Sequence, residues 1–241
     1  MDSVKVGDTC VDKYEASVWQ IPDPTGVNLP LVKKLQKGKA TLADLTAAGA
    51  TQLGCTSAPF SHTDYPLSFP DNGNWTAPVY AASVPGVLPS TCITWFQAEQ
   101  ACRLANKRLL TNQEWQAAAA GTADPGTDDE ATQCNIDGPP FAPTNTGSRS
   151  ACTSSWGAFD MVGNVWEWVG DWGPLSTACP GWGGFSDDAM CLSGASTTAT
   201  APGALIRGGR WNTGTGAGVF AVLGSGDPAD VGGDVGFRCA R

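Results

Sequence analysis

Within residues 1–20, apolar and polar side chains alternate through VKVGDTCVDKYEASVW, and a period of two predicts one strand running from a sheet edge into the core. The period then changes. In GKATLADLTAAGATQLG, Thr41 stands as an N-cap three residues before Asp44, and Gly49 is a stop, which predicts a short helix over 42–48. Two further capping boxes follow, Thr94 with Gln97 and Thr111 with Glu114. After the first, Ala98, Ala101, Cys102 and Ala105 recur on one helical face, and Asn106 suits a left-handed terminator. After the second, Trp115, Ala118 and Ala119 do the same. Residues 121–155 carry no period and predict loop. In VWEW the period of two returns, with Trp166 and Trp168 on one strand face and Val165 and Glu167 on the other. Between Trp211 and Gly236 hardly a residue favours helix or strand, although framework-like stretches flank this Gly, Asp, Ser and Thr-rich segment.

Composition supports a loop-rich α+β domain over 1–241, with few short helices and no linker or repeat. Of 241 residues, 41% are apolar, enough for a core, while 30 Gly, 17 Pro and 10 Trp indicate loops pinned by aromatic anchors. A net charge of −9 repels phosphate backbones and anionic lipid heads, which argues against nucleic acid and membrane surfaces as partners. No apolar run reaches spanning length, so direct membrane insertion is not expected. The single histidine, His62, cannot build a His-rich zinc site and reads as a surface loop residue. Nine cysteines without a CxxC pair read as disulfides with at least one left over, which favours an oxidising compartment or a thermophile's cytosol. The start MDSVKVGD shows no charged-then-apolar leader, so a removed leader or another export route is expected. Asp128, Asp129 and Glu130 lack the alternation of a calcium loop and read as a solvated acidic turn.

The stretches ITWFQAEQACRLANKRLLTNQEW, AFDMVGNVWEWVGDW and RGGRW…VGFRC resemble the formylglycine-generating-enzyme subgroup of C-type-lectin-like folds, from the VDKYEASV strand to Cys239. The resemblance implies that α+β fold, with small antiparallel sheets, and a disulfide between Cys102 and Cys239. Cys134 with Cys152, and Cys179 with Cys191, are candidates by proximity alone. It also implies a structural Ca²⁺ held by the carbonyls of Val162, Gly163 and Val165 and the Glu167 carboxylate; the alternative is that Glu167 caps or salt-bridges a loop locally. A second calcium position would fall at Asn135 and Ile136, where an obvious aspartate is missing from TNTGSR. The family's oxidase holds copper through two cysteines five residues apart, and those places fall at about Thr213 and Gly218 here. Neither offers a thiolate to Cu(I), and no cysteine lies between Cys191 and Cys239, so neither copper nor oxidase chemistry is expected.

One branch of the subgroup, the variable proteins of diversity-generating retroelements, has the end of its gene rewritten by adenine-specific copying errors. GKATLADLTAAGATQLG with VPGVLPSTCITWFQAEQAC resembles their upstream framework, and RGGRWNTGTGAGVFAVLGSGDPADVGGDVGFRC resembles their variable region, placed at about 210–234. Randomising the adenines of an AAC codon never yields Lys, Glu, Gln, Met or Trp, and none of these occurs between Asn212 and Asp234. The positions expected to vary, and to form one exposed ligand-binding patch, are Arg210, Asn212, Thr213, Thr215, Gly216, Leu223, Ser225, Gly226, Asp227, Asp230, Gly232, Gly233 and Asp234. Trp211 reads as a core anchor rather than a ligand contact, and Gly218, Val219 and Phe220 as an apolar pin. The resemblance thus implies a non-catalytic binding protein for an unidentified protein or carbohydrate, at a cell surface, secreted or on a phage particle. Its rivals are the oxidase and an undiversified sugar-binding lectin module, against which the absence of EPN or QPD counts.

Overall fold

The computed structural model describes residues 2–55 and 65–241, so His62 lies outside the described residues. The N-terminal alternation gives three strands rather than one. Gly7, at φ +58°, turns β1 (Ser3–Val6) onto β2 (Thr9–Asp12) as a two-residue hairpin with Val6 opposite Thr9. The chain then leaves this ladder as Glu15 turns inward to the Asn164 side chain and the Val165 N–H, and β3 (Ser17–Gln20) joins another sheet.

Helix α1 (Leu29–Gln36) went unanticipated; it buries Leu31, Val32 and Leu35. Then come α2 (Leu42–Ala47), β4 (Thr51–Leu53) and β5 (Val79–Ala82). Helix α3 (Trp95–Leu104), β6 (Arg108–Leu109) and α4 (Asn112–Ala119) follow. The expected capping boxes at Thr41, Thr94 and Thr111 are all formed, because each depends only on groups three residues apart. Asn106 adopts φ +54°, and Ala98, Ala101, Cys102 and Ala105 are fully buried.

Strand β7 (Trp166–Gly173) is the longest of a five-stranded sheet with β8 (Met190–Cys191), β9 (Gly203–Arg207), β10 (Val222–Gly226) and β11 (Val235–Phe237), in the order β11-β7-β9-β10-β8. Strand β12 (Cys239–Ala240) sits between β2 and β6 in a four-stranded sheet, and β4-β3-β5 make a third. Pairing is antiparallel except for β7 with β11 and β8 with β10, which are parallel. The segment expected to lack regular structure therefore contributes β10.

Cys102 and Cys239 are bonded across 137 residues of sequence, joining α3 to β12, and a loop of that size supplies about 4–5 kcal/mol in closure entropy. Cys134–Cys152 and Cys179–Cys191 also form, Cys55–Cys92 adds a fourth bond, and Cys10 is the free thiol among the described residues. The acidic turn is only partly solvated: Asp128 is buried against Arg149 at 3.1 Å, while exposed Asp129 accepts the N–H groups of Ala131, Thr132 and Gln133.

Glu167 answers the calcium expectation. Both faces of β7 are buried at this point, and the carboxylate accepts from Arg238 Nε at 2.8 and 2.9 Å, from Arg238 Nη2 at 2.6 Å and from Trp115 Nε1 at 2.7 Å. Its lone pairs are committed and a guanidinium cation lies against it. Glu167 thus takes the alternative role, half of a buried salt bridge, and as arranged here its carboxylate has no lone pair free for the Ca²⁺ expected with the Val162, Gly163 and Val165 carbonyls. Glu167→Gln leaves Arg238 buried without its counter-charge and is expected to lower stability by about 3–5 kcal/mol in urea unfolding, while the paired Glu167→Met, Arg238→Met variant loses less. Equal losses would contradict this reading.

Other carboxyls share this interior. Burial, with the charges of Asp160 and Glu167, pushes Glu15 well above the usual carboxylate range. Burial pushes Asp160 up to about 7 even though the Gly147 N–H and Arg238 favour its charged form, and pushes Asp12 to about 6 despite Lys107 at 2.6 Å. Because these folded-state values are raised, the stability they contribute is complete below the unfolded values and is lost as pH rises through about 6–7. Glu114 opposes them at the acid end, held at about 2 by Arg108, so its contribution is lost only as pH falls toward that value. The melting temperature is expected to be higher at about pH 5 than at about pH 8, with a smaller difference in Asp160→Asn. An unchanged difference in that variant would refute the assignment.

Candidate functional site

Strand β9 delivers the chain to Gly208 and Gly209, at φ +93° and +87°. A Cβ on Gly209 would overlap Ala217, so only glycine lets the segment fold back on itself here. The return is fixed by backbone bonds, Gly208 N–H to Ala221 O at 3.2 Å and Gly218 N–H to Gly208 O at 3.2 Å. Beyond the turn the framework grips the main chain: Trp211 N–H donates to Asn164 O at 3.1 Å and Gly214 N–H to Ile136 O at 2.9 Å. A single helical turn, Gly214–Gly216, follows. Past β10, the Cys92 N–H donates to Gly232 O at 2.9 Å, the Trp95 N–H to Pro228 O at 3.0 Å and the Trp166 N–H to Asp234 O at 2.8 Å. Within this loop Asp230 accepts the Asp227 N–H at 2.9 Å.

None of the positions expected to vary is buried. Arg210, Asn212, Gly233 and Asp234 are brought together with Trp211 around a pocket of about 270 Å³. Arg210 and Asp234 form an ion pair across it, and burial pulls the Arg210 guanidinium below its usual pKa. Thr213 accepts the Arg210 N–H at 3.0 Å, Thr215 lies beside Gly126 and Gly216 beside Ala189. Leu223, Ser225 and Gly226 do not reach the pocket; they lie on β10, three strands or roughly 14 Å from β11. The expected single patch is thus a pocket with outlying positions.

Trp211 is not a core residue. It is half-buried and lines the pocket, and its indole Nε1 has no hydrogen-bond partner among the described residues. The pin holds as expected, with partners that the sequence reading missed: Phe220 packs 5.0 Å from Phe185 and 6.4 Å from Trp182 between ring centroids, and its N–H donates to Asp188 at 2.6 Å. The aromatic spacing in GWGGF was the available signal. At the copper-ligand positions, Thr213 offers a hydroxyl and Gly218 presses against the Asp188 and Asp124 carboxylates. The free Cys10 is on β2, in a different sheet, so this donor set does not fit Cu(I).

This arrangement of sheets, capped helices and a backbone-anchored loop is a C-type-lectin-like fold of the formylglycine-generating-enzyme subgroup. The family model described as "Sulfatase-modifying factor enzyme 1-like domain" matches residues 72–241, and the chain belongs to that family. Hercynine oxygenase from Mycolicibacterium smegmatis is 32% identical over 146 residues, covering 53% of this chain and 31% of that protein. Formylglycine-generating enzyme from Thermomonospora curvata is 31% identical over 101 residues, 35% of this chain and 33% of the enzyme. The chain thus spans about a third of the length of these relatives. Among solved structures, the Major Tropism Determinant U1 variant superposes with a TM-score of 0.51 at 20% identity, over 99% of this chain and 52% of that one, a likeness of fold.

Gly209→Ala is expected to destabilise the protein by about 1–3 kcal/mol through its positive φ and the contact with Ala217. Asn212→Ala and Ser225→Ala, at exposed positions, should stay within about 0.5 kcal/mol of the parent. Thermal unfolding of the three variants checks both statements, and a tolerated Gly209→Ala would contradict the first.

Proposed function

We propose that this is a non-catalytic binding protein whose surface at 210–234 is diversified by a retroelement and recognises a protein ligand. The observation that carries the proposal is a division of labour: main-chain groups of the segment are bonded to framework residues, while none of the positions expected to vary is buried. Side chains can then change without moving the backbone, and a pre-organised surface loses less ordering entropy on binding. The Major Tropism Determinant fold likeness supports the reading at the level of fold. Against an oxidase stands the chemistry of Thr213 and Gly218 where two thiolates are needed. Four disulfides suit display in an oxidising setting.

The flanking DNA provides the first test: an Asn-rich, near-identical template repeat beside a reverse-transcriptase gene is expected, and its absence would overturn the retroelement assignment. The second is biochemical. Tyr introduced together at Asn212, Thr215 and Ser225 should alter ligand preference in a display screen while shifting the melting temperature by no more than about 4 °C. Copper-dependent thiol oxidation by the parent would contradict the non-catalytic reading.

A further inference from the structure

Arg207 is 3% exposed, yet it forms no ion pair among the described residues, unlike the similarly buried Arg149 and Arg238. Its guanidinium stacks 4.6 Å from the Trp115 ring centroid. It spends its Nη donors on neutral acceptors: Nη1 on Ala221 O at 2.9 Å and Phe220 O at 3.4 Å, Nη2 on Val219 O at 3.2 Å and on Gln116 Oε1. Nε is buried with no partner. A buried cation with no carboxylate in direct contact is unfavourable, and burial lowers the Arg207 pKa to about 10 although the charge of Asp188 opposes the shift.

Arg207 lines an open groove of about 480 Å³ between α4 and the β8–β10 edge of the large sheet. Ala117, Trp182, Leu192 and Val222 make its walls apolar, and Leu192 is 45% exposed. Asn112 lines the same groove, and its side-chain carbonyl Oδ1 is also buried without a partner. Its backbone N–H is taken by Asp171, which makes that end of the groove unfavourable for an anion. Asn112 precedes Gln116, the Arg207 partner, by four residues, or roughly 6 Å along α4. The groove is therefore lined by a buried cation with one unmet donor, a buried amide carbonyl without a partner, and apolar side chains. None of its lining residues is among the positions expected to vary.

We propose that this groove is a second binding site, constant where the 210–234 surface varies, for the C-terminal end of a peptide with an apolar last residue. The terminal carboxylate answers Arg207, the last side chain fills the apolar walls, and a backbone N–H upstream answers Asn112. The arrangement matches small ligand sites in which a few fixed polar groups orient an otherwise apolar body.

The test is a calorimetric titration of the full chain with acetyl-Ala-Ala-Leu, its C-terminal amide and N-acetyl-leucine. Saturable binding of the free acid is expected, at least about tenfold tighter than the amide because only the acid supplies a charged acceptor. N-acetyl-leucine should bind more weakly than the tripeptide; equal affinity would assign the groove to a small carboxylate and overturn the peptide proposal. Gln113→Glu adds a negative charge on the exposed rim without disturbing the core and should weaken the acid at least about threefold while leaving the amide unchanged. Asn212→Tyr should change neither. Equal affinity of acid and amide, no binding at about 10 mM, or indifference to Gln113→Glu would each sink the proposal.

Discussion

The structure depends on one buried contact, the salt bridge of Arg238 with Glu167. Its geometry ties the last strands of the chain to β7: Arg238 stands between β11 and β12 and reaches the β7 glutamate at 2.6 Å, the Asp12 carbonyl at 3.2 Å and the Phe159 carbonyl at 2.8 Å. An ion pair so thoroughly desolvated repays its cost only when the remaining hydrogen-bonding capacity is also met, and here Trp115 and the carbonyls meet it. The Cys102–Cys239 bond acts one residue away on the same strand end. Together they fix where the 210–234 segment must finish, while the β7–β9 ladder fixes where it starts. A segment pinned at both ends, with main-chain bonds to Cys92, Trp95, Ile136, Asn164 and Trp166 along its length, is largely independent of its own side chains beyond the local bonds of Thr213, Asp227 and Asp230.

That independence explains how a Gly- and Asp-rich stretch coexists with a well-determined backbone. Its carbonyls and N–H groups are bonded partly to the framework and partly within its own turns, and the apolar pin at Phe220 docks into Trp182 and Phe185 rather than into the core of the sheet. The same design leaves Arg207 at the junction of the 210–234 segment and the framework, stacked on Trp115 from α4 and lining the neighbouring groove.

Much of this was legible in the sequence wherever the determinants are local. The capping boxes at Thr41, Thr94 and Thr111 and the left-handed Asn106 need only near neighbours, so their residue types announce them. Helix α1 did not announce itself, because Asn28 donates its side chain to the Pro22 and Ala48 carbonyls instead of capping the helix. The partner of Glu167 is 71 residues away, and a lone glutamate reads equally as a cation ligand or half of an ion pair. Trp211 was misplaced for a similar reason: a tryptophan after RGG suits a core, and only the fold shows it at the rim of a pocket. For the candidate surface, the sequence indicated the segment and that its positions are not buried, whereas the pocket grouping of Arg210, Asn212, Gly233 and Asp234 arises from β11 pairing beside the turn after β9.

The central claim is that a rigid framework carries a surface free to change. It is tested most directly by a display library in which the positions expected to vary between Arg210 and Asp234 are randomised with codons ending in C, beside a matched library at buried framework positions, with protease resistance read for each. The account predicts that most members of the first library remain as resistant as the parent while most of the second are cleaved. Widespread cleavage of the first library would show that these side chains hold the fold together, and would contradict it.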